Sequence, residues 1–186
     1  MYKLYSINSL PASNVPLHIV SLKSHAKWGK TTIGWFFGFK LHLVINHHAE
    51  IVAFKLTTGN IDDRKPVPET IQGVKGKAFA DRGYISEKLT NTLMQKGIHL
   101  FTKVKKMKKQ WITLVNKLML KKRAMIESVN HLLKSSCQIE HHRHRSRWNF
   151  LSNLMAGLAN YCLNPSKPRQ FFSNTEIEAA KLLEYF

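Results

Sequence analysis

Two acidic residues in this basic sequence stand where a carboxylate could do chemistry. Glu127 lies in the stretch from Lys121 to Lys134, where apolar residues recur at helical spacing and predict one packed helix. Asp81 directly follows the apolar run Ala78–Ala80, which predicts a short strand. A carboxylate at a strand end that faces a carboxylate on a helix can hold a divalent metal ion. The steps of three and four from Glu127 also align four basic or polar side chains with it: Arg123, Asn130, His131 and Lys134.

Each acid also has a plain structural interpretation. Glu127 fits a solvated charged face on which it pairs with Arg123 one turn away. Asp81 fits an aspartate that caps the turn at Arg82-Gly83. Acids are scarce, because the only other aspartates are Asp62 and Asp63, and a carboxylate site is therefore easy to trace in this chain.

The composition limits the classes of protein to consider. A chain of 186 residues can bury a core of its own, and we expect one domain over 1–163 with a linker and helical tail over 164–186. The formal net charge of +18 predicts a polyanionic partner, nucleic acid before a membrane surface. No apolar run reaches the roughly 20 residues of a membrane span, and no secretory signal is evident. Two cysteines, Cys137 and Cys162, form no disulfide framework and suit the cytoplasm.

The elements that would position the acids follow from the apolar pattern. Alternating side chains from Trp35 to Ile45 and from Ile51 to Thr58 predict an antiparallel hairpin. Ser86 can cap a helix that Gly97 ends. The other predicted elements are a strand over 1–9 stopped by Pro11, an irregular basic loop over 12–32, strands over 78–81 and 98–104, and helices over 110–120, 121–135 and 147–162. This order predicts an α/β fold.

Four motifs occur in consistent order along the chain. They are Gly34-Trp35-Phe36-Phe37-Gly38-Phe39-Lys40-Leu41-His42, Thr58-Gly59-Asn60-Ile61-Asp62-Asp63-Arg64, Asp81-Arg82-Gly83-Tyr84, and the Arg-x3-Glu-x6-Lys series of Arg123, Glu127 and Lys134. Together they resemble the bacterial insertion-sequence transposases of the DDE class over roughly residues 4 to 168. Leu120 departs from the tyrosine of that family's helix signature.

The resemblance implies a ribonuclease H-like fold, in which helices flank a mixed sheet made of an antiparallel hairpin and parallel strands. It also implies three carboxylates that hold two Mg²⁺ or Mn²⁺ ions, with Asp81 as the second acid and Glu127 as the third. At the first position the family has Ile-Asp-Ser followed by proline, and this chain has Ile7-Asn8-Ser9-Leu10-Pro11. Asn8 can offer a carbonyl oxygen but no negative charge.

The function that the resemblance implies is metal-dependent cleavage of DNA at the ends of an insertion sequence and transfer to target DNA. We expect such a polynucleotidyl transferase to work as a homo-oligomer in a transposition complex, in the cytoplasm and at the nucleoid when bound to DNA. Asn8, together with a chain that starts directly on a strand, favours an alternative. In it the chain is a truncated, catalytically inactive remnant that lacks an N-terminal DNA-recognition region and only binds DNA or another transposase subunit.

Basic side chains near these motifs are predicted to meet DNA. They are Arg123, Lys134, Lys40, His42, Arg82, Arg143 and Arg145. Simple solvation is the alternative for Lys40 and His42. Asp62 and Asp63 are expected to cap a turn or touch DNA rather than to replace the first acid.

Two further signals have structural interpretations. The histidines of His141–Arg145, near Cys137, suggest zinc, but their spacing fits no standard ligand pattern and a basic DNA-facing turn is favoured. The apolar residues of the last predicted helix are expected to be core rather than base-stacking residues: Trp148, Phe150, Leu151, Leu154 and Leu158.

Overall fold

The fold was obtained as a computed structural model, which describes residues 4–14, 25–30, 34–102, 124–140 and 146–169. The strands are β1 (Leu4–Asn14), β2 (Lys27–Lys30), β3 (Trp35–Asn46), β4 (Ile51–Thr58), β5 (Gly76–Ala80) and β6 (Ile98–Thr102). The helices are α1 (Val67–Thr70), α2 (Glu87–Gln95), α3 (Ala124–Ser135) and α4 (Arg147–Leu163), and a 3₁₀ turn spans Arg82–Tyr84.

The six described strands form one mixed sheet in the order β2-β3-β1-β5-β6, and β4 also pairs with β3. Strand β3 is the longest, and it pairs antiparallel with β1 along one edge. Its other edge pairs with β2 over Trp35–Gly38 and with β4 over Phe39–Ile45, so β2 and β4 follow each other end to end. The pairs β1–β5 and β5–β6 are parallel. The chain is therefore a mixed α/β protein, as predicted.

Helices cover both faces of the sheet with separate cores. The odd-numbered residues of β3, such as Leu41 and Leu43, pack beneath α3 and α4. On the opposite face, Val44, Ala78 and Ala80 pack against α1, α2 and the 3₁₀ turn. This alternation follows from the period-2 geometry of a strand and confirms the predicted faces of β3.

The β3–β4 hairpin is closed by side-chain and backbone hydrogen bonds. Asn46 Oδ1 accepts from the backbone N–H groups of His48 (2.9 Å) and Glu50 (3.0 Å), and Ala49 adopts a positive φ of 62°. The Tyr161 hydroxyl of α4 donates to the buried Ala49 carbonyl at 2.7 Å. These bonds fix the last helix to the turn.

Two predicted boundaries were wrong. Strand β1 does not stop at Pro11 but runs to Asn14, with a register shift between Pro11 and Ser13. Proline is tolerated there because the pairing with β5 ends at Ile7, so only one edge of β1 needs donors beyond that point. The predicted loop over 12–32 contains β2.

The other predicted elements agree with the structure where it describes them. Ser86 Oγ accepts from the Leu89 N–H at 3.3 Å at the start of α2, and Gly97 has a φ of 75° just after its end. The helix predicted over 110–120 and the tail beyond residue 169 lie outside the described residues. The division into a domain over 1–163 and a tail over 164–186 stays a prediction.

Candidate active site

The backbone register brings two of the predicted site positions to the same level of the sheet. The parallel ladder between β1 and β5 ends with the pair Ile7–Ala80, and the next residues are Asn8 and Asp81. Asn8 pairs across β1–β3 with Leu43, a residue of the core beneath α3 and α4. Helix α3 also contacts β1. The carboxyl end of a parallel strand is where α/β proteins commonly place ligand-binding side chains.

Asp81 leaves the buried strand β5 and caps the 3₁₀ turn. Its Oδ1 atom accepts a hydrogen bond from the Arg82 backbone N–H at 2.6 Å, while the side chains of Asp81 and Arg82 are exposed. Three buried residues precede it and the buried Tyr84 follows it, so the short exposed segment is held between two packed points. The capping interpretation is thus confirmed, and the residue that makes the cap is exposed.

Glu127 lies in the first turn of α3, on the exposed side of the helix. The opposite side of α3 packs into the core through Ile126, Val129 and Leu133. Glu127 borders an open depression of about 620 Å³. The other residues at its border are Ser128, His131, Leu132, Ser166, Lys167 and Pro168.

Of the charged neighbours predicted beside Glu127, the structure describes Lys134 but not Arg123. Lys134 Nζ forms an ion pair with Glu140 at 2.7 Å, which gives it an intramolecular role beside the predicted contact with DNA. Arg123 lies outside the described residues, as do Arg143 and Arg145.

Among the described residues, no three His, Cys, Asp or Glu side chains group closely enough to hold a metal ion. The predicted site would offer two carboxylates, from Asp81 and Glu127, and one amide, from Asn8. Carboxylate oxygens suit Mg²⁺ or Mn²⁺, so Asp81 and Glu127 fit such an ion by their chemistry, while Asn8 at the first-acid position lacks the charge.

Lys40 and His42 lie on the opposite face of β3 from the core under α3. Lys40 Nζ donates to Asp63 Oδ1 and to the Ile61 carbonyl, both at 2.9 Å. His42 is 2% exposed, and its Nε2 atom lies 2.8 Å from Thr57 Oγ1. Burial lowers the pKa of His42 to about 4, so the ring is neutral at pH 7. This burial argues against the predicted contact of His42 with DNA, because a neutral ring beneath the surface cannot meet a phosphate.

The Asp62-Asp63-Arg64 motif is a turn held by its own charges. Asp62 Oδ1 accepts from the backbone N–H and from Nε of Arg64, each at 2.9 Å, as the capping prediction required. These hydrogen bonds hold the pKa of the Asp62 carboxyl well below its usual range. Sequence reasoning missed the pairing of Lys40 with Asp63, and the period-2 pattern alone gives no signal for it.

The core prediction for α4 can be compared with the structure, whereas the favoured basic turn at His141–Arg145 and its zinc alternative stay predictions. The histidines of His141–Arg145 lie outside the described residues. The nearby Cys137 is half-buried, and burial raises the pKa of its thiol. Phe150, Leu154 and Leu158 are core residues as predicted. Trp148 is 65% exposed, so its assignment to the core was wrong. It lies in the first turn of α4 on the side exposed to solvent, whereas Phe150 of the same turn packs on Phe39 of β3.

The model of the transposase DDE domain family matches residues 13–147, which is more than half of the chain. The protein therefore belongs to the transposase DDE domain family, a family of DNA recombination that normally uses divalent metal ions. The matched range begins after Asn8.

No curated protein matches the chain. Among solved structures, it is similar to a chain in the cryo-electron microscopy structure of the simian T-cell lymphotropic virus intasome in complex with the PP2A regulatory subunit B56 gamma. The two are 9% identical with a TM-score of 0.41, and the alignment covers 92% of this chain and 59% of that one. None of the described helices combines the length and apolar character that a membrane crossing requires.

Proposed function

We propose that this chain carries the ribonuclease H-like catalytic fold of an insertion-sequence transposase that acts on DNA. The observation that supports the proposal is the register of β1 and β5, whose last pair, Ile7–Ala80, directly precedes Asn8 on one strand and Asp81 on the other. The helix that bears Glu127 contacts the same strand β1. The reaction class is metal-dependent strand cleavage and strand transfer.

In this proposal Asp81 and Glu127 hold the divalent ion, and each contributes one negative charge and hard oxygen donors. Asp81 and Glu127 would hold such an ion against the scissile phosphate, where it would supply Lewis-acid chemistry for the cleavage of the strand. The exposed Arg82 beside Asp81 neutralises a DNA phosphate. Asn8 adds an amide oxygen at the first-acid position but leaves the site one negative charge short.

A second candidate function follows from that missing charge. Here the chain binds DNA or another transposase subunit but does not cut DNA. The neutral residue at position 8 favours it, and the net charge of +18 supplies the electrostatic attraction to phosphates that binding requires. The two candidates differ in cleavage, not in the partner.

A calorimetric Mn²⁺ titration tests the assignment of the ligands. We expect Asn8→Asp to tighten Mn²⁺ binding about tenfold or more, because a carboxylate adds a full charge close to a dication. Glu127→Gln in the Asn8→Asp protein should cancel the gain. Asn91→Asp, an identical change at an exposed position of α2, is the matched control and should leave binding as in the unaltered chain.

Equal Mn²⁺ affinity of the unaltered chain and Asn8→Asp would remove Asn8 from the site. Nicking of supercoiled plasmid DNA, followed with Mn²⁺ present, separates the two candidate functions. Nicking by the unaltered chain would exclude the binding-only function. Nicking gained with Asn8→Asp and lost again with Glu127→Gln supports the transposase chemistry.

A further inference from the structure

Three tryptophans lie on the surface outside the candidate active site. Trp28 is 53% exposed, Trp35 is 68% exposed and Trp148 is 65% exposed. Scattered single apolar residues are normal on a protein surface, but large aromatic side chains that gather in one region indicate a binding surface.

The register of β2 and β3 places two of the indoles on one face. Trp28 pairs with Phe37 and Lys30 pairs with Trp35, and paired residues lie on the same side of a sheet. The rings of Trp28 and Phe37 are 5.4 Å apart between centroids. Lys30 Nζ lies 5.5 Å from the centroid of the Trp35 ring. Two indoles, a phenyl ring and an ammonium group thus alternate across the two strands.

Helix α4 brings the third indole to the same side of the sheet. Phe150 stacks on Phe39 of β3 with a centroid distance of 5.1 Å, which seats the first turns of α4 on the face that carries Phe37. One turn earlier, the Arg147 guanidinium lies 5.1 Å from the Trp148 ring centroid. Arg147 also approaches His25 Nε2 at 3.5 Å, and His25 leads directly into β2.

The charges around these rings have one sign. The segments 25–30, 34–46 and 146–163, which build the region, contain no acidic residue. They do contain cationic groups next to the rings, Lys30 over Trp35 and Arg147 over Trp148. Exposed aromatic faces among cations complement a ligand that carries both flat bases and phosphates.

We propose that Trp28, Lys30, Trp35, Arg147 and Trp148, together called the aromatic platform, bind unpaired nucleotides of a DNA strand. The bases stack on the indoles, and Lys30 and Arg147 contact the phosphates. This inference rests on the proposed function, because it takes DNA as the partner. Duplex DNA would use the cations alone, since its bases are already stacked and cannot lie on an indole. A protein partner would need to bring acidic groups to face these cations.

Fluorescence anisotropy with the full chain tests the platform. The probes are a labelled 12-nucleotide dT strand, an rU strand of the same length, and a duplex of the same length. Trp35→Ala and Trp148→Ala remove largely exposed side chains, so both variants should fold. We expect each to weaken dT binding about fivefold or more, and duplex binding less than about twofold, because base stacking on an aromatic side chain is lost. Trp35→Phe should restore part of the affinity for dT.

Two further variants separate stacking from charge and from general damage. Met155→Ala removes an exposed apolar side chain of α4 outside the platform and should leave all three affinities unchanged. Lys30→Gln should weaken dT and duplex binding together, and lower the slope of log affinity against log salt by about 0.7–0.9. We expect the rU strand to bind more weakly than dT.

Several outcomes would overturn the platform. They are unchanged dT binding in both tryptophan variants, an equal loss for dT and duplex, and tighter binding of rU than of dT. Sedimentation that shows Trp35→Ala turning a dimer into a monomer would make the surface an interface between copies. If duplex binding is normal while the tryptophan variants change nothing, the platform fails and the proposed function stands. If neither form of DNA binds, the proposed function itself fails.

Discussion

The replacement Gly59→Ala tests how the sheet edge is built at the motif Thr58-Gly59-Asn60. Gly59 is buried where the end of β4 meets β2, and its N–H donates to the Gly38 carbonyl of β3 at 2.9 Å. A Cβ atom added at Gly59 would lie 2.6 Å from the Lys27 carbonyl oxygen and 3.1 Å from the Gly38 carbonyl oxygen. A Cβ on Gly29 would collide with the Gly59 carbonyl oxygen in turn. The two strands therefore approach each other too closely for any side chain.

The cost of that replacement follows from the contact distances. A carbon reaches an ordinary contact with a carbonyl oxygen at about 3.3 Å, so the backbones must separate by roughly 0.7 Å. Both oxygens belong to the main chain of paired strands and cannot rotate away. Overpacking of this kind costs about 1–3 kcal/mol. We expect a loss of about 2 kcal/mol, which for a chain of this length lowers the melting temperature by about 4–8 °C.

Thermal and urea unfolding followed by circular dichroism measure this loss. The matched control is Gly83→Ala, because a Cβ there meets nothing within 4 Å and its φ does not lie in the left-handed region. The control should stay within about 0.5 kcal/mol of the unaltered protein or gain slightly through the unfolded state. If Gly59→Ala is as stable as Gly83→Ala, the close approach of β2 and β4 is not real. The reasoning about this edge, including the position of β2 and of its residues Trp28 and Lys30 in the aromatic platform, would then be refuted.

Two more predictions concern buried polar groups. Burial lowers the pKa of His42 from 6.5 to about 4. Between these two pH values the ring binds a proton in the unfolded chain but not in the folded one. The free energy of unfolding should therefore fall by at most about 3 kcal/mol as the pH falls from about 6.5 to 4. Urea denaturation between pH 8 and pH 4 should show this dependence of the free energy of unfolding on pH, and His42→Gln should reduce it. An equal dependence in both proteins would contradict the lowered pKa of His42. Tyr161→Phe should cost about 1–3 kcal/mol, because it leaves the buried Ala49 carbonyl without the hydroxyl that now donates at 2.7 Å. A change below about 0.5 kcal/mol at pH 7 would show that the carbonyl finds another donor.

The long elements could be predicted from the sequence because their patterns are local. The alternation in β3 and the Ser86 cap of α2 each follow from residues a few positions apart. Strand β2 could not be predicted from the sequence, since its four residues Lys27–Lys30 form a strand only through pairing with β3. The prediction that β1 stops at Pro11 failed for a similar reason. Whether a strand tolerates proline depends on which of its edges is paired, and the local sequence does not show this.

The candidate site was predictable in part for a related reason. The motifs give the identities of the residues, and the apolar runs give their elements, which suffices to put Asp81 at a strand end. Which face a side chain occupies, and what covers it, depends on the tertiary packing. His42 has the spacing of an exposed residue on β3, yet it is 2% exposed on the face of that strand that packs against α1. Trp148 has the spacing of a core residue, yet it lies on the side of α4 that is exposed to solvent.

Asn8 shows how fold and chemistry can separate in this family. An amide has nearly the shape of a carboxylate, and β1 is held in register by backbone pairing with β3 and β5, so the sheet does not depend on the charge at position 8. In the proposed function, binding of a dication depends strongly on that charge. The family match over residues 13–147 begins beyond this position, so it establishes the family without bearing on the proposed role of Asn8. A single atom at Asn8 therefore decides, in the proposed function, between a nuclease site and a surface that only binds DNA.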